Sequence, residues 1–219
     1  MASRPADPNG APDQAGPKTA TYRFKPAFRR ALHPIGEVLI RAGVKADTVT
    51  IAGLAFACLA GLGVWLGRNG SLWLLLVPAS ALLRTAANAL DGMIAATTNT
   101  SRPLGEVLNE TADRAGDVAA FLPIAFVPEV NDFLVAGTLA AMLISSFLGV
   151  VVKAAGGPRL YSGIMGKPDR MLVLGVSALI ANFLDPGRVF IATLWIVLVG
   201  SIVTIAQRAI MARRELGMG

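Results

Sequence analysis

Nine polar side chains interrupt two segments that otherwise read as membrane helix: Arg84, Asn88 and Asp91 in one, and Glu106, Asn109, Glu110, Asp113, Arg114 and Asp117 in the next. An ionisable group at mid-bilayer costs about 3 kcal/mol even on the lenient insertion scale, so such groups face a cavity, a partner or a ligand. At about 100° per residue, Arg84, Asn88, Asp91 and Ala95 fall on one stripe of a helix, and Glu106, Asn109, Glu110, Asp113 and Asp117 share a face of the next. Two antiparallel helices joined by a tight turn can aim both stripes at one another. Converging carboxylate and amide oxygens favour a hard divalent cation, magnesium or manganese, over a soft metal, and such cations bind phosphate well. The same acids can instead pair with Arg84, Arg102 and Arg114 and tie the helices together. The residue pattern alone leaves both readings open.

The rest of the chain supplies the elements that must position these groups. Its 219 residues are 54% hydrophobic and 16% charged, against about 25% charged in soluble domains, which marks an integral membrane protein. A single Cys58 excludes an intramolecular disulfide and a cysteine-based zinc site, and His33, the one histidine, excludes a histidine cluster. His33 reads as an interfacial side chain. The formal charge of +6 serves membrane topology first, so nucleic acid is not an expected partner.

A span needs about 20 apolar residues to cross roughly 30 Å of hydrocarbon, and six segments meet that need: 48–67, 72–97, 105–127, 133–155, 170–184 and 189–210. Short connections at 68–71, 128–132 and 185–188 suit antiparallel neighbours in a bundle. Gly63 and Gly67 are expected to serve close helix packing. The fold class is all-α integral membrane, with six transmembrane helices and an N-terminal interfacial amphipathic helix. Residues 1–20, rich in Pro, Ala, Gly and Asp, form a disordered cytoplasmic tail. Residues 21–43 are the juxtamembrane amphipathic helix, broken near Pro34. Residues 44–212 are the membrane domain, and 213–219 a second cytoplasmic tail. With both termini cytoplasmic, Arg68 and Arg188 alone among the 20 basic residues lie outside, which fixes the orientation. The polar stripes then open to the cytoplasmic face of a multi-pass, bacterial-type inner membrane protein.

The run Asn88-Ala-Leu-Asp91-Gly92-Met-Ile-Ala95-Ala96, then eight residues to Gly105, then Asn109 and Asp113 at four-residue steps, resembles the CDP-alcohol phosphotransferase signature D-x-x-D-G-x-x-A-R-x8-G-x-x-x-D-x-x-x-D. The spacing matches throughout. Asp91, Gly92, Ala95, Gly105 and Asp113 keep the signature residue; Asn88 and Asn109 stand at two of its aspartates and Ala96 at its arginine.

This resemblance implies transfer of a phosphatidyl-type group from a CDP-linked donor, such as CDP-diacylglycerol, to an alcohol acceptor, with release of CMP, in phospholipid biosynthesis. It implies Asp113 as the base that takes the acceptor's proton and Asp91, Asp113, Asn88 and Asn109 as ligands of one or two magnesium or manganese ions. Asn88, Gly92, Ala95 and Gly105 become contacts for the CDP moiety. It also implies a homodimer in a lipid bilayer. The two Asn residues remove negative charge that Glu106, Glu110 or Asp117 could restore, and Arg84 or Arg102 could stand in for the arginine lost at Ala96. Arg84, Arg159, Lys167 and Arg170 are candidate phosphate ligands, with ordinary inside-positive residues as the alternative for the last three. Two other functions fit the same residues: a catalytically impaired nucleotide- or lipid-binding relative, and a small transporter or proton pathway using the intramembrane acids.

Overall fold

A computed structural model describes residues 20–100 and 102–217. Among these the chain forms helices and no strand. They are α1 Ala20–Arg41, α2 Ala46–Gly67, α3 Leu76–Thr97, α4 Pro103–Phe121, α5 Asp132–Ala154, α6 Lys167–Ile180 and α7 Pro186–Glu215. A 3-10 turn, Leu72–Leu75, leads into α3, and another, Leu122–Phe126, extends α4. Of the tail expected at residues 1–20, residues 1–19 lie outside the described residues and Ala20 already opens α1, and the C-terminal tail expected from 213 begins inside α7.

The helix ends follow from local chemistry. α1 stops where Gly43 turns left-handed, at φ 72°, a conformation open to a residue without Cβ. The amides of Gly43 and Val44 then fold back on the carbonyls of Ile40 and Leu39. Asn131 caps α5 by accepting from the Phe133 amide at 2.8 Å, and Asp185 caps α7 by accepting from Arg188 at 2.9 Å. α1 runs through Pro26 and Pro34 without the expected break. Its Leu32 is buried and Gly36 lies against Met93 and Leu90 of α3, so packing holds the helix despite the lost proline hydrogen bonds.

Among the described residues four helices are long and apolar enough to cross a membrane: α2, the 3-10 turn with α3, α5 and α7. α4 falls short in composition, because five charged residues from Glu106 to Asp117 sit on it. α6 falls short in length, with 14 residues starting at Lys167 and ending at Ile180 rather than near 184. Large apolar side chains nevertheless stay exposed on several helices, Leu82 at 61%, Phe147 at 66% and Ile196 at 54% among them, as expected of side chains that face lipid.

α2 lies along both α3 and α4, α5 along α7, and α6 between α3 and α7. At Gly61 an added Cβ would come within 2.0 Å of the Ala119 carbonyl. Only glycine lets α2 and α4 approach this closely. The apolar core, which includes Val64, Leu74, Phe121, Ile124, Met142, Leu174, Phe190 and Leu194, fills the end of the bundle where α2 and α4 finish and α3, α5 and α7 begin. The opposite end is left to the polar residues.

Candidate functional site

The turn between α3 and α4 makes the site. Thr98 closes α3 by donating its amide to the Ile94 carbonyl at 2.9 Å, Asn99 takes φ 51°, and Pro103 starts α4. Asparagine tolerates the left-handed region better than most residues. Arg102 pairs with Asp47 of α2, tying the turn to a third helix. α2 packs against both α3 and α4, and across the turn the polar stripes meet where Asn88 of α3 donates to Asp113 of α4.

Asp91 and Asp113 are buried there, at 6% and 3% exposure. Asp91 Oδ2 accepts from Thr50 Oγ1 of α2 at 2.9 Å and its Oδ1 from the Gly92 amide at 2.6 Å. Asp113 Oδ1 accepts from Asn88 Nδ2 at 3.2 Å, and its Oδ2 meets the Lys167 ammonium at the start of α6. Asn109 is half-buried one turn before Asp113.

Beneath them lies a buried ion network. Arg84 Nη2 donates to the Asp113 carbonyl at 3.1 Å and to Asp117 Oδ1 at 3.5 Å, and Nη1 reaches the Gly53 carbonyl at 3.4 Å. Its guanidinium rests on the bare backbone of Gly116, where a Cβ would stand 2.1 Å from Nη1. Arg170 of α6 donates to Asp117 Oδ2 at 3.0 Å, to Ser146 Oγ at 3.3 Å and to Ser145 Oγ. Removing one member of such a buried pair strands the other charge, at about 3–5 kcal/mol.

A basic rim adjoins the pocket. Glu110 accepts from Arg114 and from Arg159, whose guanidinium stacks 4.7 Å from the Tyr161 ring centroid. Arg208 of α7 donates to the Ser162 carbonyl at 2.9 Å, the Tyr161 carbonyl at 3.4 Å and the Ser145 carbonyl. Arg114 Nη1 and Arg170 Nε are buried without a protein partner. Both are donors suited to an anion's oxygen.

The expected residues divide between these places. Asn88, Asp113 and Lys167 meet directly and Asp91 is buried one turn beyond Asn88, while Asn109 is half-buried on α4 without a hydrogen bond to any of them. Gly92 is exposed, with no protein atom within 4 Å of an added Cβ; Ala95 is half-buried; Gly105 lies near Arg102 and Asp47. The acids suggested as substitutes for lost charge are committed elsewhere: Glu106 to Lys153, Glu110 to Arg114 and Arg159, and Asp117 to Arg84 and Arg170. Arg84 is likewise held inside the bundle rather than offered to a phosphate, and Arg102 is paired with Asp47. The helix-tying reading therefore holds for Glu106, Glu110 and Asp117, and Asp113 too meets a cation, Lys167. Thr50, Ser145, Ser146 and Arg208 were not singled out from the sequence. Arg208 carried a signal, being an ionisable residue in an apolar segment; the other three carried none.

The pocket fits a hard divalent cation. The oxygen donors gathered there are the carboxylates of Asp91 and Asp113, the amide oxygen of Asn88 and the Thr50 hydroxyl, with Asn109 one turn before Asp113. Among the described residues no three His, Cys, Asp or Glu side chains cluster as a metal cage. Magnesium needs no such cage, being held by one or two carboxylates with the remaining positions filled by phosphate oxygens and water.

No family model matches the chain. It is 40% identical to the inner membrane protein YnbA of Escherichia coli over 155 residues, covering 71% of this chain and 77% of that one. It is 33% identical to the phosphatidylinositol phosphate synthase of Streptomyces avermitilis over 199 residues, covering 86% of this chain and 80% of the synthase. Crystal structures of Mycobacterium tuberculosis phosphatidylinositol phosphate synthase share the fold at 22% identity. The one with CDP-DAG bound aligns at a TM-score of 0.69, covering 84% of this chain and 94% of the other. The complex with manganese and citrate aligns at 0.68, covering 82% and 87%.

Proposed function

The chain belongs to the CDP-alcohol phosphotransferase family, and from that premise we propose that it transfers a phosphatidyl-type group from CDP-diacylglycerol, or another CDP-alcohol, to an alcohol acceptor and releases CMP. The observation that carries this reading is the Asn88–Asp113 hydrogen bond, which brings the α3 stripe holding Asp91 against the α4 stripe holding Asp113, with Lys167 on Asp113. The relatives named for phosphatidylinositol phosphate synthesis support the donor type, and the manganese bound by a fold neighbour supports a divalent ion.

Asp91, Asp113, Asn88 and Asn109 would hold magnesium or manganese, which when bound neutralises the donor's diphosphate and stabilises charge in the displacement. Gly92, with nothing packed against its Cα, and the small Ala95 and Gly105 leave the backbone open to the cytidine moiety. Asp113 removes the acceptor's hydroxyl proton. A bond forms between the acceptor oxygen and the phosphatidyl phosphorus as the phosphoanhydride bond to CMP breaks, and CMP takes the electron pair. Arg84 keeps Asp113 in place through its backbone carbonyl.

The relatives' product carries a headgroup phosphate, and the basic rim suits such an acceptor: Arg114, Arg159, Arg170 and Arg208 gather there, two of them with an uncommitted buried nitrogen. α4 with its 3-10 extension and α6 act as the third and fifth spans of a six-span bundle over residues 44–212, with α1 as an amphipathic helix at the interface. Both termini and the pocket face the cytoplasm, because the basic residues cluster at that end. The protein is a homodimer of the bacterial inner membrane.

Purified protein supplied with labelled CDP-diacylglycerol, magnesium or manganese and a panel of alcohols and phosphorylated alcohols should release CMP with at least one acceptor. The non-catalytic reading draws on one observation, that both oxygens of Asp113 are held by Asn88 and Lys167. It gains the advantage if the parent is silent and the Asn88→Asp, Asn109→Asp variant releases CMP. Silence from both rejects the transferase.

A further inference from the structure

Asp91 and Asp113 share a pocket but not an electrostatic condition. Asp113 lies against the Lys167 ammonium and 3.9 Å from Arg84 Nη2. Asp91 is as deeply buried, yet its two oxygens accept only from a neutral hydroxyl and a neutral amide, and among the described residues no cation pairs with it. A buried carboxylate with neutral donors alone is an uncompensated charge. Of the two carboxylates, Asp91 is therefore the one whose direct partners are all neutral.

Lys167 does not reach Asp113 by chance rotation of a free loop. Its Cα is the first of α6, where Asp169 accepts from the Gly166 amide at 2.9 Å and closes the first turn. The strand of loop before it is pinned to α7 by the Met165 amide on Thr204 Oγ1 at 3.0 Å and the Ile164 amide on Gln207 Oε1 at 3.1 Å. The ammonium is thus delivered to Asp113 from a fixed point. A second dication placed on Asp113 would meet that ammonium and the Arg84 guanidinium, with only the neutral amides of Asn88 and Asn109 to offset it.

We propose that the site takes a single divalent cation on Asp91, and that the Lys167 ammonium on Asp113 supplies the other positive charge that faces the donor's diphosphate. This rests on the phosphotransferase reading and specifies how its site is charged. Lysine is a compact point charge with three donors, so it can bridge a carboxylate and a phosphate oxygen at once. Asp113 remains the proton acceptor, its carboxylate oriented by Asn88 and Lys167.

The test is a count of manganese bound per chain, by electron paramagnetic resonance of the detergent-solubilised full chain titrated with Mn2+ in the presence of CDP. One ion should bind, with any second at least about tenfold weaker, since like charges compete for the same space. In the Asn88→Asp, Asn109→Asp, Lys167→Met variant, a second ion should bind about as tightly as the first. Two equivalent ions on the unaltered protein overturn the proposal, as does CDP binding with no manganese, or a folded triple variant that still holds one ion. If the triple variant does not fold, the count on the unaltered protein decides. Failure to bind CDP or manganese at all rejects the phosphotransferase reading itself, whereas CDP bound with two ions rejects only the single-ion site.

Discussion

Replacing Gly116 with alanine puts a methyl group where the Arg84 guanidinium lies. The new Cβ would stand 2.1 Å from Nη1 and 2.6 Å from Cζ. Ordinary carbon contacts need about 3.5 Å, so the guanidinium must retreat by about 1.4 Å. Arg84 donates at 3.1 Å to the Asp113 carbonyl and at 3.5 Å to Asp117, both already at the long end, so a shift of that size breaks them. Overpacking costs about 1–3 kcal/mol, and a buried charge-assisted hydrogen bond about 1.5–3 kcal/mol. Alanine's better helix propensity returns at most about 1 kcal/mol. The net loss is about 3 kcal/mol, or roughly a 10 °C fall in melting temperature for a chain of this size. Tryptophan fluorescence during heating in detergent measures it. Gly137→Ala is the control, since an added Cβ there meets nothing within 4 Å. A Gly116→Ala protein melting within about 2 °C of the parent would refute the placement of Arg84.

Four further outcomes are expected. Asp113→Asn should lower CMP release by at least about 100-fold, as loss of a general base does, without a matching loss of CDP binding. Gly92→Ala should leave the melting temperature unchanged, because no protein atom is near, while weakening CDP binding measured by calorimetry. Arg170→Leu should destabilise by about 1.5–3 kcal/mol in thermal unfolding, since it removes the closer of the two cations on buried Asp117 and leaves only Arg84. Glu110→Gln should weaken an internal competitor for Arg114 and Arg159 and lower the KM for a phosphorylated acceptor about tenfold, with little change for a neutral alcohol.

The sequence made the central pair legible because the α3–α4 hairpin is local. Asp91 and Asp113 are 22 residues apart on helices joined by a short turn, so helical periodicity aims their stripes the same way, and α2 packed against both helices holds them there. Four spans were placed within a few residues by apolar length. What stayed hidden depends on contacts between distant helices. Nothing in the local pattern says that Thr50 of α2 reaches Asp91, or that Lys167 bends toward Asp113 rather than Asp91. Likewise Asp117, Glu106 and Glu110 share a helical face with Asp113, yet each meets a base from another element. Periodicity fixes direction around one axis and is blind to the cations opposite. α1 ran past Pro34 for the same reason: burial against α3, invisible in α1's own residues, outweighs the missing hydrogen bond.

The direct measure of the claim that Asp91 and Asp113 gather a cation around a CDP-linked diphosphate is the phosphorus hyperfine coupling of bound Mn2+ in the presence of CDP, read by electron–nuclear double resonance. A coupling that shows manganese bonded to a CDP phosphate oxygen, abolished by Asp91→Asn and altered by Asp113→Asn, is the expected result. Manganese that shows no phosphorus coupling, or a coupling indifferent to both substitutions, contradicts it.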